Sequence, residues 1–178
     1  GENINQNTAY TIGRTFGYIV ISRLKSNIIA TGYDGRLTSP DLHQALCEGL
    51  KDAGAKVINI GMGPTPMTYF AHYHLETDAV IMVTGSHNPS EYNGFKMVLA
   101  KHSFYAEDIQ SLQKLIDQND LKLIEGEIIN QDIKKDYTER LLQNINLNKK
   151  IKIAWDIGNG AMGAVIKEVT NNLNNSEN

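Results

Sequence analysis

Asp78-Ala79-Val80-Ile81-Met82-Val83-Thr84-Gly85-Ser86-His87-Asn88-Pro89 is the stretch on which the fold turns. Five apolar residues in a row, 79–83, bounded by an aspartate and a loop broken by glycine and proline, read as a strand buried on both faces. The polar run continues through Ser90-Glu91-Tyr92-Asn93-Gly94 into a second apolar run, Phe95-Lys96-Met97-Val98-Leu99-Ala100. The gap between the two runs is too short for a helical crossover. The second strand is therefore expected antiparallel to the first, or beside it at the sheet edge. Chemistry often sits on such a loop, because the flanking strands fix its ends while it presents polar groups.

Upstream, the pattern alternates. Apolar residues at Ile12, Phe16, Ile19 and Val20 carry helical spacing over 8–24, and Gly13 and Gly17 permit close approach to a neighbouring element. Ile28-Ile29-Ala30-Thr31-Gly32 reads as a core strand, and Gly32-Tyr33-Asp34-Gly35-Arg36 as the turn at its C-terminal end. Ser39 is expected to cap a helix that has Pro40 in its first turn and Gly54 as its stop. Lys56 to Gly61 is a second strand, and Gly63-Pro64-Thr65-Pro66 leads into a helix that runs to about His74. Strands alternating with helices predict α/β architecture: a three-layer α/β/α domain with a mixed, mostly parallel sheet of about four strands.

Downstream, 106–118 and 132–146 read as amphipathic helices. A polar joint at 144–150 then leads to a strand at 151–156 and a helix at 161–169. One βα unit cannot bury both faces of its own strand. The expected division is a first domain over 1–147, with 148–178 as the first βα unit of a second, truncated domain. Ile151, Ile153, Trp155 and Ile157 should then find cover at a dimer or crystal contact.

Composition excludes several classes. Of 178 residues, 41% are apolar and 21% charged, with a net charge of -3, so there is no electrostatic reason to expect nucleic acid or an anionic membrane as partner. No run reaches transmembrane length. Cys47 is the one cysteine, which rules out an intrachain disulfide and suits a reducing, cytoplasmic setting. His72 and His74 stand two apart on a helix and point to different sides, while His43 and His102 lack a partner at ligand spacing. No metal site is expected from protein residues alone.

Within the loop, Lys96 lies on the opposite strand face from Phe95, Met97 and Leu99. An amine returning toward Ser86 can stabilise charge on a transferring group or act as an acid or base. Arg36 is a permanent cation at the C-terminal edge of the first strand, the edge where open parallel sheets bind ligands. Asp34 and Arg36 are expected to support or contact the serine loop. Asn88, with Pro89, is assigned to loop shape through side-chain to backbone bonds. Asn93 is counted with Asn88 among the substrate- or loop-supporting residues.

The segment Thr84-Gly85-Ser86-His87-Asn88-Pro89 with Tyr92-Asn93-Gly94-Phe95-Lys96 resembles the active-site segment of the α-D-phosphohexomutase family, of the phosphomannomutase/phosphoglucomutase type. Gly32-Tyr33-Asp34-Gly35-Arg36, Gly63-Pro64-Thr65-Pro66 and Asp156-Ile157-Gly158-Asn159-Gly160 resemble further landmarks of that family, in family order. The resemblance covers roughly 8–168. It departs at Tyr33, where many relatives carry arginine, and at 1–7, where a Tyr-Asp-x-Arg-Gly segment is missing.

The resemblance implies a four-domain isomerase that moves phosphate between the two ends of a hexose, here mannose or glucose. Ser86 would be the phosphoserine that donates to the sugar, forms a hexose 1,6-bisphosphate and recovers phosphate from its other end. His87 would donate toward phosphate or sugar oxygen, and Lys96 would be catalytic. The Ser86 phosphate would be one ligand of Mg2+, with the others being aspartates of the family's second domain that this sequence does not contain. The implied partner is a hexose phosphate, and this portion is expected to be inactive alone. The runners-up are a phosphoglucosamine mutase and a non-catalytic sugar-phosphate-binding fragment. Gly85, where phosphoglucosamine relatives often have alanine, leans toward the mannose/glucose branch.

Overall fold

A computed structural model describes residues 4–118, 120–146, 151–158 and 160–175. The chain opens with helix α1 (Gln6–Leu24), whose N-cap Asn5 accepts from the Thr8 N–H through its side chain at 2.9 Å. It continues through β1 (Ile28–Tyr33), α2 (Ser39–Asp52), β2 (Lys56–Met62), α3 (Thr65–His74), β3 (Ala79–Val83), β4 (Phe95–Leu99) and β5 (His102–Ser103). The last elements are α4 (Glu107–Gln118), β6 (Glu127–Asn130), α5 (Lys134–Leu142) and α6 (Gly163–Asn175).

The sheet order is β5-β4-β3-β1-β2-β6. β1 pairs in parallel with β2 and β3, and β6 pairs in parallel with β2, while β4 runs antiparallel to β3 with Lys96 opposite Met82. Fold class is thus as expected, a mixed α/β/α sandwich. The strand count is not: six strands form where about four were expected. β5 is two residues long and β6 four, too short for a period to stand out from the sequence. β4 is adjacent to β3 but is not the edge, because β5 lies outside it.

Side chains alternate across the sheet and fill two cores. On one face Phe16, Ile19 and Val20 of α1, Leu46 and Leu50 of α2 and Leu112 of α4 pack on Ile29, Val57, Ile81 and Met97. On the other, Met67 and Ala71 of α3, Tyr137 of α5 and Val165 and Val169 of α6 pack on Ala30, Ile58, Ile60 and Val80. Phe16, Ile29, Leu46, Leu50 and Ile81 are fully buried, each stabilising the fold by roughly 1.5–3 kcal/mol of transfer free energy. Glycine sets the α1–α2 distance. A Cβ on Gly13 would lie 2.3 Å from the Leu46 carbonyl oxygen, and one on Gly49 would lie 2.1 Å from that of Tyr10. The two backbones touch there.

Several local expectations change. Thr38, not Ser39, is the N-cap of α2, and it makes no side-chain cap bond; Ser39 spends its hydroxyl on Asp34 instead, at 2.6 Å. A carboxylate is the stronger acceptor, so the tertiary partner wins over the local one. The helices expected at 132–146 and 161–169 occupy Lys134–Leu142 and Gly163–Asn175. No strand forms at 151–156; Ile151 and Trp155 are 60% and 48% exposed. A strand needs a neighbour for its ladder, and among the described residues none pairs with this segment. The expected domain boundary, at 147 and 148, and Asn159 of the Asp156–Gly160 turn lie outside the described residues, as does the start of the chain through residue 3. No helix among the described residues is long and apolar enough to cross a membrane.

Candidate functional site

β1 and β3 are adjacent and parallel, so the turn after β1 and the loop after β3 leave the sheet at the same edge. This brings Asp34 and Arg36 against the loop 84–94. Its base is held by Thr84 N–H donating to the Gly94 carbonyl at 2.9 Å, and its interior by Asn88 N–H to Gly85 and Tyr92 N–H to Pro89.

Ser86 sits at the tip, exposed, in the left-handed region with φ 53°. Non-glycine residues enter that region at a cost of roughly 1–2 kcal/mol, so its neighbours must over-determine it. Its N–H donates to Thr84 Oγ1 at 2.9 Å, and its carbonyl accepts from Arg36 Nη2 at 3.1 Å. The hydroxyl is left for chemistry. Lys96 Nζ donates to Ser86 Oγ at 3.2 Å, and His87 Nδ1 lies 3.4 Å from the same oxygen. Lys96 reaches it because antiparallel pairing of β4 with β3 folds the strand back on the loop, and alternation turns Lys96 away from the Phe95, Met97 and Leu99 face.

Arg36 is drawn into the loop. Nε donates to Asp34 Oδ2 at 3.1 Å, Nη1 to the carbonyls of Pro89 and Tyr92, and Nη2 to those of Ser86 and Asn88 at 3.1 and 2.8 Å. Asp34 in turn accepts from the Arg36 N–H at 3.1 Å and from Ser39 Oγ. Burial alone would raise the Asp34 pKa. The hydroxyls of Ser39 and Thr84, the Arg36 N–H and the Arg36 charge together outweigh burial and hold the carboxyl below its ordinary value. Asn93 ties the far end of the loop to α2: Nδ2 donates to Thr38 Oγ1 at 3.0 Å and Ser39 Oγ at 2.9 Å, while Oδ1 accepts from Gly94 N–H.

Every residue singled out from the sequence, Ser86, His87, Lys96, Arg36, Asp34, Asn88 and Asn93, therefore meets at one sheet edge. Asn88 takes part through its backbone: its carbonyl accepts from Arg36 and its N–H donates to Gly85. Thr84 and Ser39 were missed. Thr84 stands two residues before Ser86, the spacing of a hydroxyl that accepts a backbone N–H, and that signal was available. Ser39 had no such signal, because its partners come from the turn after β1 and from loop 84–94.

Three of the other histidines, His43, His72 and His74, have structural partners. His43, buried beneath Tyr33, bonds Thr31 Oγ1 at 3.0 Å and is pushed down to about 4 by burial. His72 bonds Thr77 and accepts from the Lys101 N–H, and His74 faces Asp136 at 3.3 Å. Among the described residues no group of three or more His, Cys, Asp or Glu stands ready for a metal. At the serine loop the donor set does not fit a magnesium site by itself: Asp34 is committed to Arg36 and Ser39, which leaves Ser86 as one ligand at most.

Against this geometry stand the similarities to known proteins. A family model described as "Phosphoglucomutase/phosphomannomutase, alpha/beta/alpha domain I" matches residues 1–123. A phosphomannomutase/phosphoglucomutase of Pseudomonas aeruginosa is 39% identical over 169 residues, covering 95% of this chain and 36% of the relative. A phosphoglucomutase of Neisseria meningitidis is 36% identical over 177 residues, covering 98% of this chain and 38% of the relative. Among solved structures, a phosphoglucomutase/phosphomannomutase family protein from Burkholderia thailandensis superposes with a TM-score of 0.89 at 36% identity, over 98% of this chain and 40% of that one. The chain thus spans less than two-fifths of the length of these curated relatives.

Proposed function

The chain belongs to the phosphoglucomutase/phosphomannomutase family, and from that premise we propose that it supplies the phosphoryl-carrying serine of a hexose-phosphate mutase. One observation carries the reading. Ser86 Oγ is the exposed hydroxyl at the tip of a clamped loop, with the Lys96 ammonium on it at 3.2 Å. A serine held only for turn shape would not need a cation on its hydroxyl.

In the transfer, the Oγ–P bond of phosphoserine breaks as a sugar hydroxyl oxygen bonds to phosphorus. The sugar hydroxyl gives up its proton and Ser86 Oγ ends protonated. Lys96, already donating to Oγ, stabilises the charge that develops on this leaving oxygen, as pre-aimed donors do in phosphoryl transfer. His87, the second group at Oγ, is placed to pass the proton. The product is a hexose 1,6-bisphosphate, which returns phosphate to Ser86 from its other end and leaves as the isomer. Phosphoserine brings about -1.5 to -2 charges, so it needs the Lys96 cation in the resting state as well.

Mg2+, bound through the Ser86 phosphate and carboxylates from outside this chain, would add charge neutralisation. Gly85 supports a mannose or glucose phosphate as substrate over a glucosamine phosphate. Incubating the chain with glucose 1,6-bisphosphate should add one phosphoryl group by intact mass in the wild type and none in Ser86→Ala. Phosphorylation that persists in Ser86→Ala would refute the assignment. Turnover of glucose 1-phosphate by this chain alone should be absent.

A further inference from the structure

We infer that Gly85 and Arg36 form one lock that sets the shape of the serine loop, and that Arg36 is a positioning residue, not a phosphate ligand. A guanidinium has five N–H donors. Here Asp34 Oδ2 and the carbonyls of Ser86, Asn88, Pro89 and Tyr92 take all five. None is left for an anion, and turning the group toward a phosphate on Ser86 would strip carbonyls from the loop that presents that phosphate.

The guanidinium fits because position 85 has no side chain. A Cβ there would stand 2.5 Å from Arg36 Cζ, Nε and the Tyr92 carbonyl oxygen alike. Far less than van der Waals contact remains. The lock also has something to hold. Ser86, Asn88 and Pro89 are exposed, so no packing fixes them, and the left-handed turn at Ser86 is what aims its carbonyl at Nη2. Fixing that carbonyl fixes where Oγ stands relative to Lys96 Nζ. Among the described residues Lys96 spends one N–H donor, on Ser86 Oγ, which makes it the cation that meets incoming phosphate.

The catalytic meaning of the lock rests on the phosphoserine reading; the lock itself does not. Amide hydrogen exchange across 84–94 tests it in the unphosphorylated chain, with sheet amides such as Val80 and Ile29 as the internal control for folding. In Arg36→Ala, exchange at Asn88 and Tyr92 should rise on the order of tenfold while the sheet amides hold, because loops open locally before the core does. Gly85→Ala should do the same by expelling the guanidinium. The double variant should be no worse than either single one, since both remove the same lock. Millimolar guanidinium should restore protection to Arg36→Ala but not to Gly85→Ala, and Arg36→Lys should fail to restore it, because an ammonium cannot span five acceptors. Unchanged loop exchange in Arg36→Ala, or additive singles, overturns the lock.

Phosphoryl uptake from glucose 1,6-bisphosphate, measured on the same samples, separates the two claims. Loop exchange that responds to the variants while the wild type itself takes no phosphate leaves the lock standing and removes the phosphoserine reading. Wild-type uptake that Arg36→Ala leaves unchanged removes the positioning role.

Discussion

Replacing Asp34 by Asn tests the electrostatics beneath the serine loop. Ser39 Oγ and the Arg36 N–H both donate to Oδ1, and an Asn carbonyl can keep these bonds in neutral form. The amide nitrogen then faces Arg36 Nε, which now donates to Oδ2 at 3.1 Å. That contact turns from an ion pair into two opposed donors. The pair is well shielded, with side-chain exposures of 13% and 17%, so solvent screening discounts it only in part. A hydrogen bond to a charged group contributes about 1.5–3 kcal/mol, and the remaining bonds weaken by roughly half when the acceptor becomes neutral. The sum is about 2–4 kcal/mol, or a fall in Tm of roughly 4–16 °C for a chain of this size.

Urea unfolding followed by circular dichroism at pH 7 and at pH 3 measures this. The carboxyl is held below its unfolded value, so its contribution is complete above the unfolded pKa of about 3.9 and is lost as pH falls through the folded pKa. The gap between wild type and Asp34→Asn should be wide at pH 7 and should begin to narrow as pH falls below about 3.9, so that it is smaller at pH 3. No gap at pH 7, or one that stays constant on acidification, would show that the ion pair and its hydroxyl donors do not stabilise the fold.

Lys96→Met should slow phosphorylation of Ser86 by about 10²–10³-fold, the usual loss on removing one pre-aimed donor, while the melting curve barely moves because Lys96 is only half-buried; an intact-mass time course gives the rate. Gly49→Ala should destabilise by about 1–3 kcal/mol or more in urea, since its Cβ has no room against the Tyr10 carbonyl and α1 must shift off α2. His43 supplies a second acid window. Its folded pKa of about 4 lies below the unfolded value of about 6.5, so its stabilisation is complete above about 6.5 and is lost as pH falls toward 4, an amount on the order of 3 kcal/mol. His43→Gln should flatten the urea midpoint across that window and leave the Asp34 window below it intact.

Local chemistry and periodicity were enough for much of this. The all-apolar run 79–83 could only be a strand covered on both sides, and it is buried throughout. Alternation placed Lys96 opposite Phe95, Met97 and Leu99, and Gly13 and Gly17 permitted close approach to a neighbouring element, which is α2. What failed depended on partners outside the element's own sequence pattern, near or far in the chain. Ser39 looks like a cap until Asp34 is beside it. The apolar alternation at 151–157 looks like a strand, yet among the described residues no neighbour offers it a ladder. β6 is four residues long and forms because β2 presents an open edge to it.

The serine loop shows the same division. Its residues, its order along the chain and its position after a buried strand follow from sequence alone, because each is a property of neighbouring residues. That Ser86 is left-handed, that Lys96 rather than Arg36 faces its hydroxyl, and that Arg36 occupies the room Gly85 leaves were decided by tertiary structure. These depend on β1 and β3 ending side by side, so that a cation fifty residues upstream lies within hydrogen-bond reach of the Ser86 carbonyl.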